Sequence, residues 1–425
     1  MNIQELHSAF LANPSVSTDT RKIKRNDIFF ALKGDNFNGN SYAQKALDSG
    51  ASLVIIDEAE FFIDQRTIIV DDVLTTLQQL ANFHRKQSKA EVISLTGSNG
   101  KTTTKELINA VLSTSYRTIA TIGNLNNHIG VPLTLLRIQQ DTEIAIVEMG
   151  ANHLKEIEFL CTIAEPDYGY ITNFGKAHLE GFGGVEGVIK GKSELYDYLT
   201  SHKKSVFLNA DDAIQLDKLS TYTKKYGFST KNSKYYNISL VEAQPFVTIE
   251  VEETIIKSNL IGSYNFTNCC AAIIIGKFFN VELSKTKNAI ENYTPDNNRS
   301  QIINKNGHYI ILDAYNANPS SMKVALENFE SLKKDQKVLI LGDMFELGDS
   351  AKEEHQNIAD LALELNFERV ILVGENFNRT ITKSTKLKNF NDLKNHLNES
   401  KLKPKSSLLI KGSRGMALER LLDLI

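Results

Sequence analysis

Residues Thr96–Glu106 read TGSNGKTTTKE, and on this stretch the fold turns. Gly97 and Gly100 are separated only by Ser98 and Asn99, two residues fewer than in the usual phosphate-binding loop. An apolar strand, EVISLT (Glu91–Thr96), precedes the loop, and a helix with Leu107, Ile108, Val111 and Leu112 on one face follows it. Backbone N–H groups then converge on phosphate oxygens at the helix N-terminus. Lys101 adds a point charge and Thr102 a hydroxyl suited to Mg²⁺. Gly97, Ser98, Asn99, Gly100, Lys101, Thr102 and Thr103 are the candidate triphosphate-binding residues. A glycine turn beside an exposed lysine is the competing reading, and the strand-loop-helix context weighs against it.

Working outward, AIVEMG (Ala145–Gly150), YGYITN (Tyr168–Asn173) and SVFLNA (Ser205–Ala210) repeat the buried-strand pattern with helices between them, as in a parallel sheet with crossovers. Glu148 ends one of these strands, where a Mg²⁺-nucleotide site wants an acid. ITNFGKAHLEGFGG (Ile171–Gly184) runs from a strand into a glycine-rich loop holding Asn173, His178 and Glu180. A lone loop histidine is more often a surface residue than a ligand. IKGKSELYDYL (Ile189–Leu199) carries Lys190, Lys192 and Glu194, open to two readings: a solvated basic helix start, or a second metal or active-site lysine.

After Arg299 comes a second run of the same type, with YIILD, KVLILGD, RVILVG and SLLIKG as strands and Met322, Leu326, Phe329 and Leu332 on one helix face. Asp313, Asp343, Gly374 and Lys411 end those strands, where open α/β sheets bind ligands. Before residue 88, short apolar runs surround one expected helix, Tyr42–Ser49, and Gln87–Lys89 reads as a linker. The fold class is therefore α/β in three domains. Residues 1–88 form a small mixed domain, 89–298 a mononucleotide-binding parallel-sheet domain with the loop, and 299–425 a Rossmann-like domain.

Composition fits a folded protein: 425 residues, 41% hydrophobic and 23% charged, without repeats. A net charge of -3 gives no electrostatic reason to expect nucleic acid or an anionic membrane as partner. MNIQELHSAF lacks the basic and apolar regions of a signal peptide, and no apolar run is long enough to span a bilayer, so a cytoplasmic location is expected. Cys161, Cys269 and Cys270 form no metal-ligand spacing and read as small core residues.

TGSNGKTTTKE, the EMG of Glu148–Gly150, ITNFGKAHLE and the Lys192-Ser193-Glu194 segment together resemble the Mur ligase family of ATP-dependent amide ligases in peptidoglycan precursor synthesis. The resemblance runs essentially end to end. NLNNHIGVPLTLL (Asn124–Leu136), DAYNANPSSM (Asp313–Met322) and LGDMFELG (Leu341–Gly348) resemble in particular the branch that joins D-alanyl-D-alanine to UDP-N-acetylmuramoyl-tripeptide. The Asn-Ala-Asn-Pro element discriminates most, because ligases adding one amino acid carry other residues there.

The resemblance implies roles. Lys101 contacts the β- and γ-phosphates; Thr102 and Glu148 hold one Mg²⁺, and His178 and a CO₂-carbamylated Lys192 help hold a second. Asn268 in GSYNFTNCCAA (Gly262–Ala272) contacts adenine, although the family usually has histidine where Tyr264 stands, and Arg299 and Asp313 reach ATP. Thr18, Asp19, Thr20 and Arg21 of VSTDTRKIKRNDIFFALKG contact the UDP-substrate, with Lys33, Gly34, Asn38 and Gly39 nearby. Asn127 is placed with the substrate residues, and Asn316, Asn318 and Lys411 or Arg414 serve the dipeptide. The catalytic set is Lys101, Lys192 and His178, and the chain is expected to act as a monomer. The implied chemistry is attack of the substrate carboxylate on the γ-phosphate of ATP, then displacement of phosphate by the dipeptide amine. Two rivals stand beside it: a superfamily ligase adding a single amino acid, and a non-ligase ATP switch whose third domain binds a partner.

Overall fold

A computed structural model describes residues 1–425 as three α/β units in chain order. The first has four parallel strands in the order Val16–Ser17, Ile28–Phe30, Leu53–Ile56 and Thr67–Ile69. Two helices flank it that the sequence reading did not draw, Ile3–Ala12 and Val73–Gln87. Asp72 caps the latter by accepting from Thr75 N at 2.6 Å, and its Val73, Leu77, Leu80 and Ala81 are buried. The expected linker at 87–89 is no free tether. Arg85 in the last helical turn donates to Ala164 O and Ala90 O and pairs with Asp167 at 2.6 Å, docking the helix on the second unit.

The second unit is a seven-stranded parallel sheet in the order Tyr236–Asn237, Lys225–Ser229, Ser205–Asn209, Tyr168–Ile171, Glu91–Thr96, Ile144–Glu148 and Thr118–Ala120. The strand feeding the loop is thus central, with Glu148 ending one neighbour and Ile171 the other. The loop helix, Lys101–Leu112, fully buries Leu107, Ile108, Val111 and Leu112. Each such side chain contributes about 1.5–3 kcal/mol relative to exposure, so the loop stands on a rigid element. An antiparallel sheet of three strands, Ser239–Glu242, Thr248–Val251 and Thr254–Lys257, follows.

The third unit has six strands in the order Gln301–Lys305, His308–Asp313, Ser407–Lys411, Lys337–Gly342, Arg369–Val373 and Thr385–Leu387. All pairs are parallel except the first, a hairpin turning at Asn306 and Gly307. Asp313 and Lys411 pair directly in register, so their side chains emerge together at the strands' carboxyl ends. Helix Pro319–Ser331 buries Met322, Ala325, Leu326 and Phe329 and starts beside them. One apolar core of 55 buried residues includes side chains from all three units, among them Leu77, Leu195 and Phe329.

Candidate active site

The loop takes its shape from two glycines. Gly97 has φ +140°, and a Cβ there would lie 2.0 Å from Thr172 Oγ1; Gly100 has φ +78°, and its Cβ would meet Asn268 Oδ1 at 2.6 Å. Neither position accepts a side chain. The segment after Ile171 braces the loop from outside. Thr172 Oγ1 donates to Asn99 O at 2.6 Å, Asn173 Oδ1 accepts from Asn99 N at 3.0 Å, and Ser98 Oγ donates to Gly175 O at 2.7 Å. Lys101 folds back so that Nζ donates to Gly97 O at 2.7 Å. Burial lowers its pKa, with nearby Glu148 opposing and Arg299 adding to the shift.

Thr102 Oγ1 donates to Glu148 Oε1 at 3.3 Å, and Asn126 Nδ2 donates to the same oxygen at 2.8 Å. Glu148 is 1% exposed, and its Oε2 has no hydrogen-bond donor; the buried Lys105 ammonium lies 3.9 Å away. A buried carboxylate oxygen left open beside a hydroxyl suits a hard divalent cation. The other metal candidates do not converge there. His178 Nδ1 lies 2.5 Å from Glu346 of the third unit, and Lys192 Nζ donates to Ala151 O at 3.0 Å. No group of three or more His, Cys, Asp or Glu side chains gathers to hold a metal.

Lys192 lies inside helix Val185–Ser201 with none of its surface exposed, so it is no solvated helix start. Burial, then the Lys101 charge, push its pKa well below the usual lysine value, and its ammonium sits 4.8 Å over the Phe182 ring. Glu194 is structural, accepting from Lys155 N and Glu158 N and so capping the helix Glu156–Ala164. Asn268 Oδ1 accepts from Thr104 Oγ1 and its amide donates to Asn265, so it locks helix Tyr264–Phe278 against the loop helix.

From the third unit, Asn318 reaches across: Nδ2 donates to Asn99 Oδ1 at 2.7 Å, while Oδ1 caps its own helix by accepting from Ser321 N at 2.9 Å. Asn316 Oδ1 accepts from Ala317 N. Lys411, 2% exposed, pairs with Asp313 at 2.5 Å, and Asp313 also accepts from Ser300 N. Arg299 stacks on the Tyr315 ring at 3.7 Å. Asp343 proves a structural strand end: its oxygens accept from Asn376 N and Phe377 N, and Gly374 makes room for it.

These groups surround one cavity of about 1100 Å³ between the second and third units. Ser98–Thr103, Asn127, Glu148, His178, Asn268, Arg299, Asp313, Asn316, Asn318 and Lys411 line it. Lys192 and Arg414 do not; Arg414 is exposed and pairs with Glu419 at 3.1 Å. Thr18–Arg21 also lie outside it. There Asp19 accepts from Arg21 N, Nε and Nη2, and these bonds hold its pKa down at about 2. Lys33 pairs with Asp57 and Glu58. Asn126 and Lys176 were missed as individual residues. Lys176 joins the units, its N–H donating to Ser320 Oγ at 2.9 Å and its ammonium pairing with Glu354 at 2.6 Å. No sequence pattern marks either residue apart from its neighbours.

Comparison with known proteins adds a second line. Residues 14–93, 95–276 and 298–414 match in turn the catalytic domain of the Mur ligase family, the Mur ligase middle domain, and the Mur ligase glutamate ligase domain. The chain is 37% identical to the "UDP-N-acetylmuramoyl-tripeptide--D-alanyl-D-alanine ligase" of Bacillus subtilis (strain 168), covering 100% of this chain and 97% of that protein. It is 32% identical to the Escherichia coli (strain K12) protein of the same name, over 98% of this chain and 94% of that protein. A crystal structure of MurF from Acinetobacter baumannii superposes with a TM-score of 0.83 at 30% identity, covering 96% of this chain and 92% of that one. MurF ligase from Thermotoga maritima in complex with ADP, at 24% identity, shares the fold with a TM-score of 0.83 over 96% of each chain.

Proposed function

The chain belongs to the Mur ligase family, and on that footing we propose that it joins D-alanyl-D-alanine to UDP-N-acetylmuramoyl-tripeptide at the expense of ATP, forming the UDP-muramoyl-pentapeptide precursor of peptidoglycan. The observation that carries this reading is the hydrogen bond from Asn318 to Asn99, which brings the Asn-Ala-Asn-Pro element against the triphosphate loop in one cavity. The same element argues against a ligase of single amino acids. A bare ATP switch has no use for a cavity shared between these two elements.

The reaction requires two anions to meet, the acceptor carboxylate and the γ-phosphate. Loop N–H groups from Gly97 to Thr103 and the Lys101 ammonium spread the phosphate charge, and Arg299 approaches from the third unit. The carboxylate oxygen bonds to the γ-phosphorus as the bond to ADP breaks, giving an acyl phosphate. The neutral dipeptide amine then attacks that carbonyl carbon and phosphate leaves, taking the original carboxylate oxygen with it and accepting the proton the amine gives up. No nucleophilic side chain enters the sequence of steps. Positioning and charge neutralisation supply the rate.

Thr102 and Glu148 would hold Mg²⁺, whose role is to neutralise the phosphate charge. For Lys192, a buried amine lacking a carboxylate partner fits carbamylation, because the neutral form reacts with CO₂ and the carbamate would offer oxygen to a second Mg²⁺, toward which His178 would have to turn from Glu346. Residues 1–88 take the UDP-substrate through Thr18, Asp19, Thr20 and Arg21, residues 89–298 take ATP, and residues 299–425 take the dipeptide through Asn316, Asn318 and Lys411 or Arg414. Asn127, Asn268 and Asp313 complete the substrate and nucleotide contacts. No helix is long and apolar enough to cross a membrane. As a separate part of the proposal, the enzyme works as a monomer in the cytoplasm.

Phosphate release from Mg·ATP with each acceptor alone and with both tests this. Release that requires both, with a UDP-muramoyl-pentapeptide by mass spectrometry, is expected. Release indifferent to both acceptors returns the chain to the switch reading.

A further inference from the structure

Glu106 stands on the loop helix outside the cavity lining, yet its carboxylate gathers two hydrogen-bond donors and an ammonium. The Tyr293 hydroxyl donates to Oε2 at 2.5 Å, Asn297 Nδ2 approaches both oxygens at 3.1 and 3.2 Å, and the Lys105 ammonium lies 3.7 Å from Oε1. That ammonium also faces Glu148 Oε2 at 3.9 Å. Tyr293 and Asn297 lie between helix Leu283–Asn292 and strand Gln301–Lys305, on the segment that carries Arg299.

The segment has an unusual backbone. Asn298 and Ser300, on either side of Arg299, have φ of 56° and 50°. Non-glycine residues hold such conformations where surrounding contacts over-determine them. After Arg299 those contacts come from the third unit and helix Tyr264–Phe278: Ser300 N donates to Asp313, and Tyr264 OH meets Ser300 Oγ at 2.8 Å. Before Arg299, Asn298 N donates to Gln301 Oε1 at 3.4 Å, and Tyr293 and Asn297 add contacts that both fall on Glu106. A carboxylate accepts from both donors and faces the ammonium at once, as an amide does not.

We infer that Glu106 is a positioning residue for the ligase reaction: it clamps segment 293–300 to the loop helix and so fixes Arg299 over the triphosphate loop, with Lys105 tying the clamp to Glu148. The inference rests on the reading of the cavity as an ATP site. Glu106 touches no substrate and acts through Arg299.

A double-variant cycle on the full chain tests it, using steady-state turnover with Mg·ATP and both acceptors. Glu106→Ala is expected to lower kcat about 10- to 100-fold, the range a displacement of about 1 Å near the reacting atoms produces. Tyr293→Phe deletes one donor and is expected to lower kcat about three- to tenfold, with the unfolding midpoint within about 4 °C of the parent. KM for the UDP-substrate stays within about twofold of the parent in both, and Glu106→Ala/Arg299→Ala is no more than about twofold slower than Arg299→Ala, since residues acting through one another are non-additive. Parent-level kcat in Glu106→Ala, or an additive cycle, overturns the clamp. If Glu106→Ala does not fold, the Tyr293→Phe/Arg299→Ala cycle decides on the same criterion. Arg299→Ala with parent kcat and parent KM for ATP would instead sink the ATP reading of Arg299. An additive cycle over an impaired Arg299→Ala removes only the clamp.

Discussion

Asn318 has two separable roles, and serine in its place removes one of them. Its Oδ1 caps helix Pro319–Ser331, and its Nδ2 donates across the cavity to Asn99 Oδ1 at 2.7 Å. Serine caps helices about as well as asparagine, but its hydroxyl is too short to replace an amide reaching another unit. Asn318→Ser therefore keeps the first turn of the helix and leaves the Asn99 oxygen without its partner. An unpaired, part-buried acceptor costs about 1–2 kcal/mol, which at about 1.4 kcal/mol per decade corresponds to a roughly 5- to 30-fold fall in kcat/KM for the dipeptide. Asn318→Ala loses the cap as well, at about 1 kcal/mol of helix stability. Amide hydrogen exchange at Ser321–Val324 separates the two, with Asn318→Ser protected like the parent and Asn318→Ala exchanging about fivefold faster. Phosphate release with varied dipeptide reads the turnover. Full kcat/KM in Asn318→Ser, or equal loss of protection in both variants, refutes the reasoning.

Three further outcomes follow from the same geometry. Glu148→Gln removes the open anionic oxygen and is expected to lower kcat about 100-fold or more, with a higher Mg²⁺ requirement in a metal titration; an unchanged Mg²⁺ dependence would refute the metal role. Lys192→Ala is expected to lose turnover and all response to bicarbonate. In the parent, burial lowers the amine pKa, so the reactive neutral form persists as pH falls until that lowered value is crossed, and ¹³C-bicarbonate labelling should disappear below it; a bicarbonate response surviving in Lys192→Ala contradicts this. Arg21→Ala, outside the cavity lining, is expected to raise KM for the UDP-substrate about tenfold, as for a lost charge-assisted contact, while KM for ATP stays put.

The loop was legible because its demands are local: two glycines in conformations that other residues resist, an apolar strand before and an apolar helix face behind. The four main strands of the third unit were legible for the same reason, as unbroken apolar runs. The hairpin into that unit carries its own signal, Asn306-Gly307 in positive φ, beside a first strand too polar to stand out as a buried parallel one. The turn at Glu252-Glu253 carries none, since two glutamates in left-handed conformations break the usual turn chemistry. Helix Val73–Gln87 was lost among polar residues; Thr76 and His84 are buried all the same, His84 between His7 of its own unit and the Ile138 carbonyl of the second. Side-chain roles set by partners far along the chain were equally hidden. Glu194 resembles a ligand beside Lys192 and turns out to cap a helix, and the anchoring of Tyr293 by Glu106 spans 187 residues of sequence.

The central claim is that the cavity brings the acceptor carboxylate onto the γ-phosphate of ATP, and oxygen tracing tests it most directly. UDP-N-acetylmuramoyl-tripeptide labelled with ¹⁸O in its terminal carboxylate is turned over with ATP and D-alanyl-D-alanine, and the released phosphate is weighed by mass spectrometry. The account predicts one ¹⁸O in each phosphate and the other retained in the new amide carbonyl. Phosphate free of ¹⁸O would contradict it, because the carboxylate would then never have been bonded to phosphorus.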